Sequence, residues 1–251
     1  MKFSPRILAA ATLLATATLA ACADSTGTGG ARPVSLSFST GGLTPVATAA
    51  RYALAGAPDP LVITRAQLVF SKSELERAGV TCVNTVQVND DSCPDLKFGP
   101  MLLDLPLDAT TRTALTVNIP AGTYQQFEAE IDAITSENEG NKQESAAFLA
   151  ANPNFRGVSI RVEGTYNGVP FVYTTGVESG LELEFNPDMI VDGATNNLTV
   201  HVDMSRWFVN SSGVRIDPTT ANSGGANKSL VDENIKRSFD VFEDDDRDGR
   251  R

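Results

Sequence analysis

Apolar and polar residues alternate with period two along most of this 251-residue chain, the pattern of strands that bury one face. LVITRAQLVFSK (61–72) places Val62, Ala66, Leu68 and Phe70 on one side, with Arg65 and Gln67 on the other. TYQQFEAEIDAIT (123–135) sets Phe127, Ala129, Ile131 and Ala133 against Glu128, Glu130 and Asp132. VSIRVEGTY (158–166), FVYTT (171–175), LELEF (181–185) and LTVHVDM (198–204) repeat the scheme, and VSLSFST (34–40), PMLLDL (100–105) and TALTVNI (113–119) follow it more loosely. Nine strands divided by PAGT, YNGVP and VDGAT turns predict an all-β domain, an antiparallel sandwich or barrel. The expectation is an antiparallel β-sandwich of the immunoglobulin or transthyretin kind with short helical insertions. Asn167-Gly168 is the strongest hairpin signal, because both residues accept the positive φ of a tight turn.

Helical signals are fewer. ESAAFLAAN (144–152) predicts a short helix between two strands, closed by Asn152-Pro153. SRWFV, after residue 204, predicts a helical turn that packs Trp207. LVDENIKRSFDVF (230–242) carries Leu230, Val231, Ile235, Phe239 and Phe242 on one stripe, which predicts a C-terminal amphipathic helix. TTANSGGANKS (219–229) reads as a linker before it. The expected organisation is one β-domain over 34–218, the linker 219–229, and a C-terminal helix with an acidic tail over 230–251.

Lys2 and Arg6 precede an uncharged segment from Ile7 to Ala21. A helix of that length rises only about 22 Å, short of a bilayer core of roughly 30 Å, so the segment reads as an export signal over 1–21. Its end, Leu19-Ala20-Ala21-Cys22, resembles the lipobox of bacterial lipoproteins, whose cysteine is acylated. Cys22 is therefore the expected lipidation site, followed by a flexible tether over 22–33. Ala23 in place of an aspartate directly after the cysteine leans the sorting toward the outer membrane, facing the periplasm or the surface.

Removing Lys2 and Arg6 with the signal leaves 18 basic against 31 acidic residues, a net charge of −13. Such a surface repels nucleic acid and anionic lipid headgroups, so the membrane contact is expected to be the lipid alone. With Cys22 acylated, Cys82 and Cys93 remain, and in an exported chain they are expected to form a disulfide worth about 3 kcal/mol.

The lipobox, LVITRAQLVFSKSEL, LLDLPLD and LTVNIPAGTYQQFEAEIDAI together resemble a family of bacterial cell-envelope lipoproteins that carry a domain of unknown function. The matching residues are Asp104, Leu105, Pro120, Ala121, Gly122, Thr123, Tyr124 and Phe127, and the resemblance extends over about 34–217. The family's Asp-Ala-Pro segment after the first strand is missing here. The resemblance implies a β-sandwich on the cell envelope and no particular activity.

Catalytic candidates are limited. His201 is the single histidine, and no G-x-S-x-G elbow accompanies it, which excludes the usual triads and histidine-rich zinc sites. Glu128, Glu130 and Asp132 on one strand, and Glu182 and Glu184 on another, are candidate acid–base pairs for glycan hydrolysis or a solvated sheet face. Opposed like charges on neighbouring strands cost stability, so those two strands are expected to lie apart or to be bridged by a cation. Asp244, Asp246 and Asp248 with Gly249 have the spacing of the opening half of an EF-hand calcium loop, although the twelfth position falls beyond Arg251. The segment is either a weak calcium site or a solvated acidic tail; no other cofactor is indicated. The reading that results is a non-catalytic, lipid-anchored binding or structural module for a protein or glycan ligand. A surface glycan hydrolase and a pilus-like subunit that assembles by strand addition are the alternatives.

Overall fold

All nine alternating segments form strands in the computed structural model, which describes residues 30–41, 43–45, 52–54, 60–79, 100–108, 110–135, 142–193 and 196–251. In chain order the strands are β1 (Arg32–Gly41), β2 (Leu43–Pro45), β3 (Tyr52–Leu54), β4 (Leu61–Arg77), β5 (Met101–Asp104), β6 (Arg112–Ile119) and β7 (Gly122–Ile131). They continue with β8 (Ile160–Tyr166), β9 (Val169–Thr175), β10 (Ser179–Val191), β11 (Asn196–Asp203) and β12 (Phe239–Glu243). Two α-helices, α1 (Lys142–Ala151) and α2 (Lys228–Lys236), accompany them. The fold is mostly β, in two sheets. One sheet runs β12-β11-β1-β6; the other runs β10-β7-β4-β3-β2, with β5 and β8 also on β4 and β9 on β8. One apolar cluster draws on both sheets, with Leu36, Phe38 and Val200 from the first and Leu68, Phe127 and Ile160 from the second.

The expected all-antiparallel pairing fails at one place. β1 and β11 run parallel, from Val34 opposite Asn196 to Gly41 opposite Asp203. Parallel neighbours need a long crossover, and here the entire second sheet supplies it.

β4 corrects the expected face of Val62. The register slips between Ile63 and Arg65 and again between Phe70 and Lys72, so the buried set passes from Leu61 and Ile63 to Ala66, Leu68 and Phe70, then to Ser73 and Leu75. Each bulge inserts one residue and reverses the alternation, which leaves Val62 half-buried on the other side. That other side is itself covered near Val69, which packs with Phe148 and Leu149 of α1, Phe155 and Ile134 in a second cluster. The expected helix over 144–152 thus seals the back of β4.

The C-terminal helix is shorter than its stripe suggested. α2 buries Val231 and Ile235 and stops at Lys236, where Ser238 accepts a bond from the Trp207 indole (2.7 Å) and donates to the Ile235 carbonyl. Phe239–Glu243 then pairs antiparallel with β11. Val241 joins the core, whereas Phe242 belongs to neither apolar cluster. Phe-Asp-Val-Phe-Glu satisfies period two as well as it continued the helical stripe, and the edge of β11 decides between them. Trp207 is fully buried beside a 3₁₀ turn over Met204–Arg206, as its segment predicted.

No disulfide bond occurs among the described residues, and the strands that flank the expected Cys82–Cys93 bond stand without one. Both residues lie outside the described residues, as does Cys22. The flanking strands do not depend on such a staple: β4 and β5 already pair from Gln67 opposite Asp104 to Phe70 opposite Met101. A core of this size does not need a cross-link.

Candidate functional site

The three aspartates converge. Asp244 follows the last residue of β12 and is held from both sides of its backbone: its N–H donates to the Asn197 carbonyl (2.8 Å), and its carbonyl accepts from the Asn197 side-chain amide (2.9 Å). Its carboxylate is buried and accepts the Thr199 hydroxyl (2.7 Å) and the backbone N–H groups of Gly249 (3.0 Å) and Asp248 (3.0 Å). Positive φ at Arg247 (58°) and Gly249 (76°) folds the chain back. A Cβ at Gly249 would stand 2.5 Å from the Thr111 hydroxyl, so only glycine fits there.

The result brings oxygens of Asp244, Asp246 and Asp248 within 4.8 Å of one another, the latter two exposed. This cluster can coordinate a divalent ion. Arg247 reaches the Ser35 hydroxyl (3.2 Å), and Arg251 pairs with Asp240 (3.1 Å). The segment is a folded loop, not a free tail.

The second acidic site lies on the face of β4, β7 and β10. Glu128 stands opposite Glu182 on one side and Glu74 on the other, so the two acidic strands are neighbours. An amide answers the repulsion: Gln126 donates to Glu182 (2.6 Å) and to Glu128 (3.3 Å). Lys72 pairs with Glu74 at 3.2 Å. Beside this row Glu128, Glu130, Glu178 and Glu182 line an open groove of about 380 Å³. Burial holds the Glu130 carboxyl above the ordinary range, and Asp132 and Glu178 push the same way. Burial also raises Asp132, opposed by the N–H of Ala133. Glu184 lies one row along, opposite Gln126.

No family model, no curated protein and no solved structure matches this chain.

His201 is half-buried, with Nδ1 2.9 Å from the hydroxyl of Ser39. Ser39 is itself buried, so the pair offers no open nucleophile. Two sheet edges are protected. Asn222 covers β9 by accepting the Thr174 N–H (2.9 Å) and donating to the Val172 carbonyl (3.1 Å). β10 carries Glu182, Glu184, Pro187 and Asp188, residues that discourage strand addition. β6 pairs only with β1 among the described residues. An apolar crevice lined by Leu75, Leu115, Val117 and Phe127 lies beneath it.

Sequence reasoning named the three aspartates and Glu128, Glu130 and Glu182. It missed Gln126 and Glu74, whose places on the acidic face follow from register alone, and Glu178, which precedes β10 in an unpatterned turn. Among the described residues no helix is long and apolar enough to cross a membrane.

Proposed function

We propose that this chain is a lipid-anchored module of the bacterial cell envelope, acylated at Cys22, that binds without catalysis and holds a calcium ion in the loop from Asp244 to Gly249. The observation that carries the binding reading is the convergence of the three carboxylates within 4.8 Å. Calcium takes six to eight oxygens, so three aspartates with water in the remaining places make a site of about 10⁻⁴–10⁻³ M, the range of extracellular modules. Calorimetric titration of the chain with calcium tests it: heat that disappears in Asp246→Asn/Asp248→Asn supports the site, and identical titrations remove it. That variant leaves Asp244, which anchors the loop, in place.

The sandwich arrangement, of the immunoglobulin or transthyretin kind, belongs to the same proposal. It is supported by the edge-to-face contact of Phe38 on β1 with Phe70 on β4, ring centres 5.4 Å apart. Anchoring and outer-membrane sorting rest on residues 1–33. Cys22→Ser abolishes labelling by a fatty-acid probe; undiminished labelling overturns the anchor.

A second reading is favoured by the acidic groove. Glu130, raised by burial, suits a general acid, and Glu128 or Glu182 suits the ionised partner that glycoside hydrolysis requires. The groove lining has no aromatic platform, which supports the binding reading instead. Release of reducing ends from envelope glycans, lost in Glu130→Gln, would establish hydrolysis; no release from any of them removes it.

A further inference from the structure

Ser35, Ser37, Ser39, Asn197 and Thr199 alternate with Leu36, Phe38, Leu198 and Val200 and face away from the core. Side chains this short cannot cover themselves, and an outward sheet face of hydroxyls and amides ordinarily meets water. Here none of the five is more than 4% exposed. Part of the cover comes from Phe242, opposite Thr199 on β12. Much of the rest comes from the segment after that strand: Asp244 binds Thr199 and Asn197, Arg247 reaches Ser35, and Gly249 sits against Ser39 and Thr111.

We infer that Asp244–Arg251 is a clasp over the hydroxyl-and-amide face of β1 and β11, closed in this structure and able to lift while the core stays intact.

Two features support the lifting. The contacts that close the clasp are hydrogen bonds, which water replaces at small net cost, whereas the apolar cluster on the other face has no such substitute. The face also keeps internal partners when uncovered. Ser37 donates to Asn197 (2.7 Å), the Asn197 amide reaches Thr199 (3.0 Å), and Ser35 and Ser37 meet Thr116 (2.9 Å) and Thr113 (3.1 Å). Uncovering therefore strands few buried polar atoms. The last ladder pair of β12 is Leu198 with Glu243, which places the hinge at Asp244. Once lifted, the clasp leaves an uncharged row of donors and acceptors on an otherwise acidic molecule. The contacts of the closed state need no ion, so the inference is independent of the calcium reading.

Thiol labelling in the full chain, mapped by mass, tests it. Ser37→Cys should label slowly when the clasp is native. In the Asp244→Ala background, and separately in Gly249→Val, it should label about tenfold faster or more, as a local opening allows. Gly249→Val keeps the Asp244 and Thr199 side chains themselves, so one misfolding variant does not decide the matter. Val200→Cys, on the core face of β11, should stay unlabelled throughout. Unchanged Ser37→Cys rates in both clasp variants overturn the inference. So does rapid labelling with the native clasp, or labelling of Val200→Cys in step with Ser37→Cys, which means the whole sheet opens.

Discussion

Glu128 of β7 faces Glu182 of β10 across an antiparallel ladder, and one amide, that of Gln126, donates to both. Directly opposed like charges destabilise a sheet, and Lys72, in the lining of the groove, pairs with Glu74. Gln126→Ala is therefore expected to lose about 1 kcal/mol, from the bonds and the unrelieved repulsion together. Glu182→Gln in the same background should recover much of that loss, and added salt should shrink it. Urea unfolding of the four combinations measures both. A deficit indifferent to Glu182 and to salt would mean that Gln126 acts by packing.

Glu130 ties stability to pH. Its folded carboxyl binds a proton more tightly than the unfolded chain does, because burial disfavours its charge and Asp132 and Glu178 add to that. Between the unfolded value near about 4.3 and the raised folded value, the folded form carries more protons, so stability falls as pH rises across that window. The cost persists at neutral pH. Glu130→Gln, which keeps a donor for Glu178, should be more stable than the parent near pH 7 and equal to it below about pH 4. Asp132 contributes a slope of the same sign, so the variant flattens the profile without abolishing it. Thermal unfolding across pH checks the sign; a parent that gains stability between pH 5 and 7 through this residue refutes it.

Period two located β1 and β4–β11 because each turns its apolar residues to one face, and Asn167-Gly168 forms the expected turn with φ of 51° and 80°. Val62 was misplaced because a bulge beside Thr64 reverses the alternation, and no residue type marks a bulge there. β12 was hidden because Val231, Ile235, Phe239 and Phe242 keep helical spacing into a segment that a non-local partner, β11, claims as a strand. The parallel pairing of β1 with β11 is non-local too. At the candidate site, the Asp244-Asp246-Asp248 spacing was legible, but its folding onto Thr199 and Asn197 depends on strands far away in the chain.

Asn222 makes the edge of β9 testable. Its side chain stands in for a strand residue, accepting from Thr174 and donating to Val172, beside exposed Val169 and Val172. Unpaired edges next to apolar side chains invite pairing between molecules. Asn222→Ala should lose about 1 kcal/mol and associate as concentration rises, read by sedimentation. If the chain assembles by adding strands at β6 instead, this variant leaves assembly unchanged, and an added charge at Leu115 or Val117 abolishes it.

The clasp and the calcium loop share Asp244, so each makes a demand on the other. An ion bound only when the clasp is closed favours closure by the factor 1 + [Ca²⁺]/Kd. At about 5 mM calcium and a site of about 10⁻³ M, that factor is about six. Labelling of Ser37→Cys should slow by that amount when calcium is added and recover when it is chelated. In Asp246→Asn/Asp248→Asn the clasp keeps its anchor, so the calcium-free rate should stay as in the parent while the response to calcium disappears. The two ideas then fail separately. A slow rate that ignores calcium leaves the clasp standing without its ion. A calorimetric signal with no change in labelling leaves an ion bound equally well to open and closed forms.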